Sequence, residues 1–437
     1  IKKLRVSYTL KLIPPKRMLM LALFVPLYTT GAVTTMLATD ARVEWSGRHT
    51  GDATAGTVSF DWLSVTARVG VHGATYVRVV STAAGAARTT RIKAYASDQG
   101  FQLYPTVQFW IPRSDESNAT TVWQASGGKT TTITLENIVD PQYGTGITTF
   151  HSFTTDGTFV PPAPRSPTMS PTHLIPTGTR RLVTIGDSIT AATNVLRPEG
   201  SPQCGDGGYQ SDWSKTYSAL LCHRFGAECS TIAVGGKCMM RECGGLQMPD
   251  YYRSAFYGDG GAPTFTFAQD AAPHAMLIDL GTNDMRAITK IGLNTTTGEG
   301  PGMVQFATEM VAFLVNVTTL YQTKEIQFFL SSGPMENTTI TGTQSAVAQA
   351  RALGIKATWI DMRTACVDAR IHGAGDSDMC DGCASHPGVE GHRGMYEAAW
   401  PVIEEVMGWT EPAAESRGAA PQWMADGSKA APWEVVA

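Results

Sequence analysis

A hydroxyl at the end of a strand is the first chemistry this chain offers. The apolar run Leu182-Val183-Thr184-Ile185 stops abruptly at Gly186-Asp187-Ser188-Ile189-Thr190, where the backbone must turn sharply. Such a turn puts the Ser188 hydroxyl at the carboxyl edge of a sheet, beside backbone N–H groups. A serine so placed can act as a nucleophile if a base and an oxyanion site lie near. Gly-Asp-Ser is also ordinary turn chemistry, so the tripeptide needs context. Three further blocks supply it. Thr231-Ile232-Ala233-Val234 runs into Gly235-Gly236, and Leu277-Ile278-Asp279-Leu280 runs into Gly281-Thr282-Asn283-Asp284. Ser385-His386-Pro387-Gly388 opens a helical pattern near the C-terminus. Ser, Gly, Asn and His each fall at a strand end or a helix entrance, where an α/β fold gathers its chemistry.

The elements that must position these residues follow a strand, loop, helix rhythm from Arg180 onward. Trp213, Tyr217, Leu220, Leu221 and Phe225 mark one helical face, with Ser211 or Asp212 as its cap. Met303, Phe306, Met310, Phe313, Leu314 and Val317 mark a second, and Met395, Ala399, Val402, Ile403 and Val406 a third. Ile326 to Leu330 reads as a buried strand before the turn Ser331-Ser332-Gly333-Pro334. Strands alternating with helices predict a parallel sheet covered on both faces. Upstream the period is two. Val58, Phe60 and Trp62 alternate with Ser59 and Asp61, and further strand-like runs fill the stretch to Thr158 without a helix. That pattern predicts a β-sandwich. The layout is a targeting segment over 1–41, a sandwich over 42–158, a proline-rich linker over 159–179, the α/β domain over 180–408 and a disordered tail over 409–437.

At 437 residues and a formal net charge of -4 the chain has room for two domains and no basic field for nucleic acid. Six basic residues precede the apolar run Met18 to Tyr28, with no acidic residue before Asp40, as in a secretory signal. Small residues at Thr30/Ala32 or Thr39/Ala41 suit cleavage. The run is about half the ~20 residues of a membrane span, so stable membrane insertion is not expected, although an N-terminal anchor is the alternative. Eight cysteines, all after position 200, point to disulfides in an oxidising compartment. Cys380-Asp381-Gly382-Cys383 has zinc-like spacing, but its best counterpart, Cys238/Cys243, is spaced differently. The expectation is disulfides and neither metal nor other cofactor. Asn118, Asn294, Asn316 and Asn337 open sequons usable in a secreted protein.

The four blocks, in this order, resemble those of the SGNH (GDSL-type) hydrolase superfamily. The resemblance implies a three-layer α/β/α domain with Ser188 as nucleophile and His386 as base. It implies oxyanion donors from Ser188, Gly236 and Asn283, with Gly235 one register step away. Glu44-Trp45-Ser46-Gly47-Arg48, Val58-Ser59-Phe60-Asp61-Trp62, Ser331-Ser332-Gly333-Pro334-Met335 and His386-Pro387 with Gly391-His392 are similar to family 2 carbohydrate esterases. Those enzymes join a jelly-roll-like sandwich to an SGNH domain and remove acetyl groups from plant-type polysaccharide. The expectation is therefore a secreted serine esterase acting on acetylated polysaccharide, acetylxylan-esterase-like. The alternatives are an esterase or lipase for small or lipid esters, and a carbohydrate-binding protein with an impaired site. The chain departs from the family where a carboxylate should precede His386: the usual positions hold Cys383 and Ala384. Asp381 can orient the imidazole only if its loop folds back; otherwise a main-chain carbonyl does so, giving a Ser–His dyad. His392 reads as a packing or capping residue, and Asp187 as a shaper of the turn. Trp110, Trp123, Trp213 and Trp400 are the candidate substrate-facing aromatics.

Overall fold

Strand after strand from Thr34 builds two antiparallel sheets. The computed structural model describes residues 32–163, 180–196, 207–366, 382 and 386–410, short stretches within these spans excepted. One sheet runs β3 (Thr50–Asp52), β4 (Thr57–Phe60), β11 (Ile147–Thr155), β6 (Tyr76–Ala84) and β9 (Ser114–Gln124), with β1 (Thr34–Leu37) also on β11. The other runs β12 (Thr158–Val160), β5 (Thr66–His72), β10 (Thr130–Asn137), β7 (Thr90–Asp98) and β8 (Phe101–Ile111), with β2 (Glu44–Ser46) on β5. Val58, Phe60, Val69, Val71, Val77, Val79, Ile133 and Phe153 fill the space between them. The expected start of the sandwich at residue 42 is corrected by β1: Met36 is buried, Thr34 to Leu37 pair with Thr155 to Ser152, and the Trp45 indole N–H donates to the Ala38 carbonyl. Residues 34–41 belong to the sandwich. The predicted targeting run and the bulk of the linker lie outside the described residues.

Period two says which residues share a face but not what covers it. On β10 every residue from Thr131 to Asn137 is buried. The outer face of this sheet is packed against the second half of the chain, so its polar residues find partners there. The Lys93 ammonium meets the Asp212 carboxylate at 2.5 Å with both side chains 3% exposed. Arg91 donates to the Tyr209 carbonyl, and the Trp62 indole N–H to that of Ala255. Leu63, Ile138 and Val139 share one core cluster with Ile189, Ala191, Trp213 and Met395.

The second half is a five-stranded parallel sheet in the order β14 (Ala227–Ala233), β13 (Arg180–Gly186), β15 (Ala275–Asp279), β16 (Gln327–Ser332) and β17 (Ala357–Asp361). Each central strand is an apolar run because helices cover both faces. Helix Pro301–Leu320 buries Met303, Phe306, Met310, Phe313, Leu314 and Val317, as their spacing predicts; of the face expected on helix Val389–Met407, Met395, Ala399 and Ile403 are buried, Val402 is half-buried and Val406 is exposed. Helix Tyr217–Phe225 is capped by Thr216, whose hydroxyl accepts the Ala219 N–H, and not by Ser211 or Asp212. Asp212 instead caps the short turn Trp213–Lys215 and pairs with Lys93. Among the described residues the disulfides Cys222–Cys229 and Cys238–Cys243 are both in this half.

Candidate active site

Strand register brings three of the four sequence blocks together. Gly186 lies opposite Ala233 on β14 and Asp279 on β15, so the chain leaves three adjacent parallel strands at one level. Ser188 follows the first exit, Gly235-Gly236 the second and Asn283 the third. Gly186 is required by contact: a Cβ there would meet the Thr190 hydroxyl oxygen at 2.0 Å and the Asp279 carbonyl oxygen at 2.8 Å. The turn after it is closed by Asp187, whose Oδ1 accepts the Ile189 N–H and whose carbonyl accepts the Ala191 N–H. Ser188 is 7% exposed, tucked into the turn, where a strand-end turn read from sequence alone suggests an open hydroxyl.

The two glycines of the second exit differ in their surroundings. The Gly235 N–H is taken by the Asp140 carboxylate at 3.3 Å, and Gln142 occupies the space where a Gly235 Cβ would stand. Gly236 has φ +75° and nothing within 4 Å of its Cβ position. Among the described residues no hydrogen bond takes the N–H of Ser188 or of Gly236. Both are therefore available to a developing oxyanion. Asn283 differs from the expectation: its Nδ2 donates to Asp187 Oδ2 at 3.1 Å and to the Lys237 carbonyl at 3.2 Å. An amide nitrogen has two hydrogens, and both are engaged. To serve an oxyanion, Asn283 must exchange one of these bonds. Downstream, Asp284 accepts the N–H groups of Met239 and Met240 at 3.0 and 2.6 Å, which pins the far end of the same loop.

His386 stands at the entrance of helix Val389–Met407 and is half-buried. Gly382 is packed against it: a Cβ on Gly382 would meet the His386 carbonyl oxygen at 2.0 Å. Asp381, Cys383 and Ala384 lie outside the described residues. His392 is a core residue. It is fully buried, its Nδ1 accepts the Tyr217 N–H, and its ring stacks on Tyr217 with 5.9 Å between centroids. Burial, helped by the neighbouring His386, pushes its pKa down to about 3.

Four buried carboxyls underlie the site. Burial raises Asp140 and Asp279 to about 7 and Asp284 to about 6, against the hydrogen bonds each accepts. Asp187 is also pushed well above the usual carboxylate range, by burial and then by the charge of Asp279. Asp279 receives the Ser331 hydroxyl at 2.8 Å, which gives the Ser331-Ser332 turn a function in the packing. Asp140 and Gln142, from the sandwich, are the site residues that sequence reasoning missed. No local signal marks them, because their partners are on another domain.

Cys238, Cys243 and Asp284 cluster closely enough to suggest metal ligands, but the two sulfurs are joined to each other. A disulfide offers no thiolate to zinc. Trp213 is fully buried and Trp123 nearly so, which removes both from the candidate substrate-facing aromatics. The Arg224 guanidinium covers the Trp400 ring at 3.6 Å. The Trp110 side chain lies outside the described residues.

No protein-family model matches the chain, and no curated protein matches it in sequence. Solved structures do match its fold. A family two carbohydrate esterase from Cellvibrio japonicus superposes with a TM-score of 0.67 at 16% identity, over 86% of this chain and 99% of its own. An acetyl xylan esterase from the rumen bacterium Butyrivibrio proteoclasticus gives 0.67 at 14% identity, over 87% and 100%. A family 2 carbohydrate esterase with a carbohydrate-binding domain, from Corynascus thermopiles (Myceliophthora fergusii), gives 0.60 at 23% identity, over 84% and 100%. The shared architecture is a β-sandwich joined to an α/β/α domain built on a parallel sheet.

Proposed function

We propose that the protein is a secreted serine esterase that removes O-acetyl groups from polysaccharide. The observation that carries this reading is the convergence of Ser188, Gly236 and Asn283 at the carboxyl ends of three register-locked parallel strands. The Ser188 hydroxyl attacks the acetyl carbonyl while His386 takes its proton. The carbonyl oxygen, now an anion, is held by the Ser188 and Gly236 N–H groups, and Asn283 exchanges its long bond to Lys237 for the same oxygen. Collapse of this intermediate expels the sugar hydroxyl, which receives the proton from His386. Water then attacks the acetyl-serine by the same route and releases acetate. The imidazole is oriented by Asp381 or by a main-chain carbonyl. The carbohydrate substrate rests on the fold shared with carbohydrate esterases, and secretion on the disulfides of the α/β half. The test is acetate release from acetylated xylan, together with mass spectrometry of the protein after treatment with a fluorophosphonate. Label on Ser188 with acetate release supports the reading. An enzyme that releases acetate while Ser188 stays unlabelled would sink it.

A further inference from the structure

Two successive glycines form the least constrained backbone a protein can offer, yet an oxyanion donor must point in one direction. Gly235-Gly236 therefore needs restraint from outside its own loop. Asp284 supplies it downstream, at Met239 and Met240. Upstream the restraint comes from the sandwich, at the turn that follows β10. Asp140 is fully buried there. Its Oδ1 accepts the N–H of Gly235 and of Gln142, at 3.3 and 2.9 Å. Its Oδ2 accepts the Gln142 amide at 2.7 Å and the Thr193 hydroxyl at 2.5 Å. Gln142 also donates to the Thr193 hydroxyl and fills the space beside the Gly235 Cα, so the glycine cannot shift towards it. Thr193 in turn donates its N–H to the Ser188 carbonyl. One carboxylate thus holds the strand exit that carries Gly236 and the turn that carries the nucleophile. Ile138 and Val139, just before it, are packed into the same core as Ile189 and Ala191, which fixes the turn itself.

We propose that Asp140 is a positioning residue for the acyl-transfer site, supplied by the β-sandwich, and that it sets the Gly236 N–H against Ser188. This rests on the serine-esterase reading. It makes the sandwich part of the oxyanion hole as well as a neighbouring domain. Replacing the carboxylate with an amide keeps the volume but removes one acceptor atom, so one of the two tethers to Thr193 or Gly235 is lost.

The experiment compares full-length wild type with Asp140→Asn and Gln142→Ala on a soluble acetyl ester. It measures kcat and KM separately, together with inhibition by an alkylboronic acid, which adds to the serine as a tetrahedral anion. Asp140→Asn should lower kcat about tenfold or more and weaken boronate inhibition in parallel, with KM changed little. Gln142→Ala, partly exposed and less demanding of the fold, should show the same split at smaller size. A merely structural role would lower the thermal midpoint and leave kcat of the folded enzyme and boronate affinity alone. Folded variants with wild-type kcat and boronate affinity would overturn the proposal while the serine mechanism stands. If Asp140→Asn does not fold, Gln142→Ala decides alone. Wild type that the boronate does not inhibit would instead strike at the serine mechanism, and the proposal falls with it.

Discussion

The carboxyl edge of the parallel sheet and the inward sheet of the sandwich meet across one interface, yet they use polar residues in opposite ways. At the sheet edge the N–H groups of Ser188 and Gly236 are left without an acceptor among the described residues, and Asn283 is held by two long bonds. Across the interface, Lys93, Asp212 and Ser214 are buried and bonded to one another at 2.5–2.7 Å. On the proposed function the groups left open act on a substrate, whereas the groups satisfied in the dark hold the halves together. Substitutions on one side should therefore appear in rate and on the other in stability.

The largest separation should come from Ser188→Ala. Acetate release should fall by roughly a thousandfold or more with an unchanged thermal midpoint, since only one oxygen atom is lost. Residual turnover close to wild type would place the chemistry elsewhere. The opposite outcome is expected across the interface. Lys93→Ala leaves the Asp212 carboxylate buried without its ammonium and should cost about 3–5 kcal/mol in denaturant unfolding. Arg78→Ala, on an exposed position of the outward sheet, should stay within about 0.5 kcal/mol. Equal costs at the two positions would erase the distinction between the sheets.

Asn283→Ala belongs to both sides, because the amide is bonded to Asp187 as well as facing the site. It should lower kcat about a hundredfold with little change in KM. A change confined to KM would make Asn283 a ground-state contact. The last effect concerns pH. His392 is held neutral with a pKa of about 3, against about 6.5 when unfolded. The unfolded chain therefore binds the proton more readily. The stability due to neutral His392 is complete above about pH 6.5 and is lost as pH falls towards 3, by up to about 1.4 kcal/mol per pH unit. Asp140, Asp279 and Asp284 have raised values, so they contribute the reverse slope, with stability falling as pH rises from about 4 to 7. His392→Asn, whose oxygen can still accept the Tyr217 N–H, should remove the acid-side loss and leave the carboxyl slope. Unfolding midpoints from pH 4 to 7 that run parallel in variant and wild type would contradict this.

The legible part of this protein is local. A buried parallel strand has to be an apolar run, and its exit has to turn, so Leu182 to Ser188, Thr231 to Gly236 and Leu277 to Asn283 declare each strand and its exit in a few residues. Helical faces at Met303 to Val317 and Met395 to Ile403 declare themselves by the same economy of period. Those signals, with the period-two runs upstream, determined the sandwich and the parallel sheet and put Ser188, the Gly235-Gly236 pair and Asn283 at strand exits. The tertiary structure alone decided that Gly235 is held while Gly236 is open, because the holding carboxylate, Asp140, is 95 residues away. It alone decided that Lys93 is dark, since alternation along β7 places that side chain on a face and Asp212, 119 residues on, is what covers it. It also decided that Ser188 is buried in its turn and that both hydrogens of Asn283 are engaged. A sequence fixes what each segment prefers by short-range sterics and hydrophobic period; which polar groups are satisfied and which remain open depends on partners brought together from distant segments.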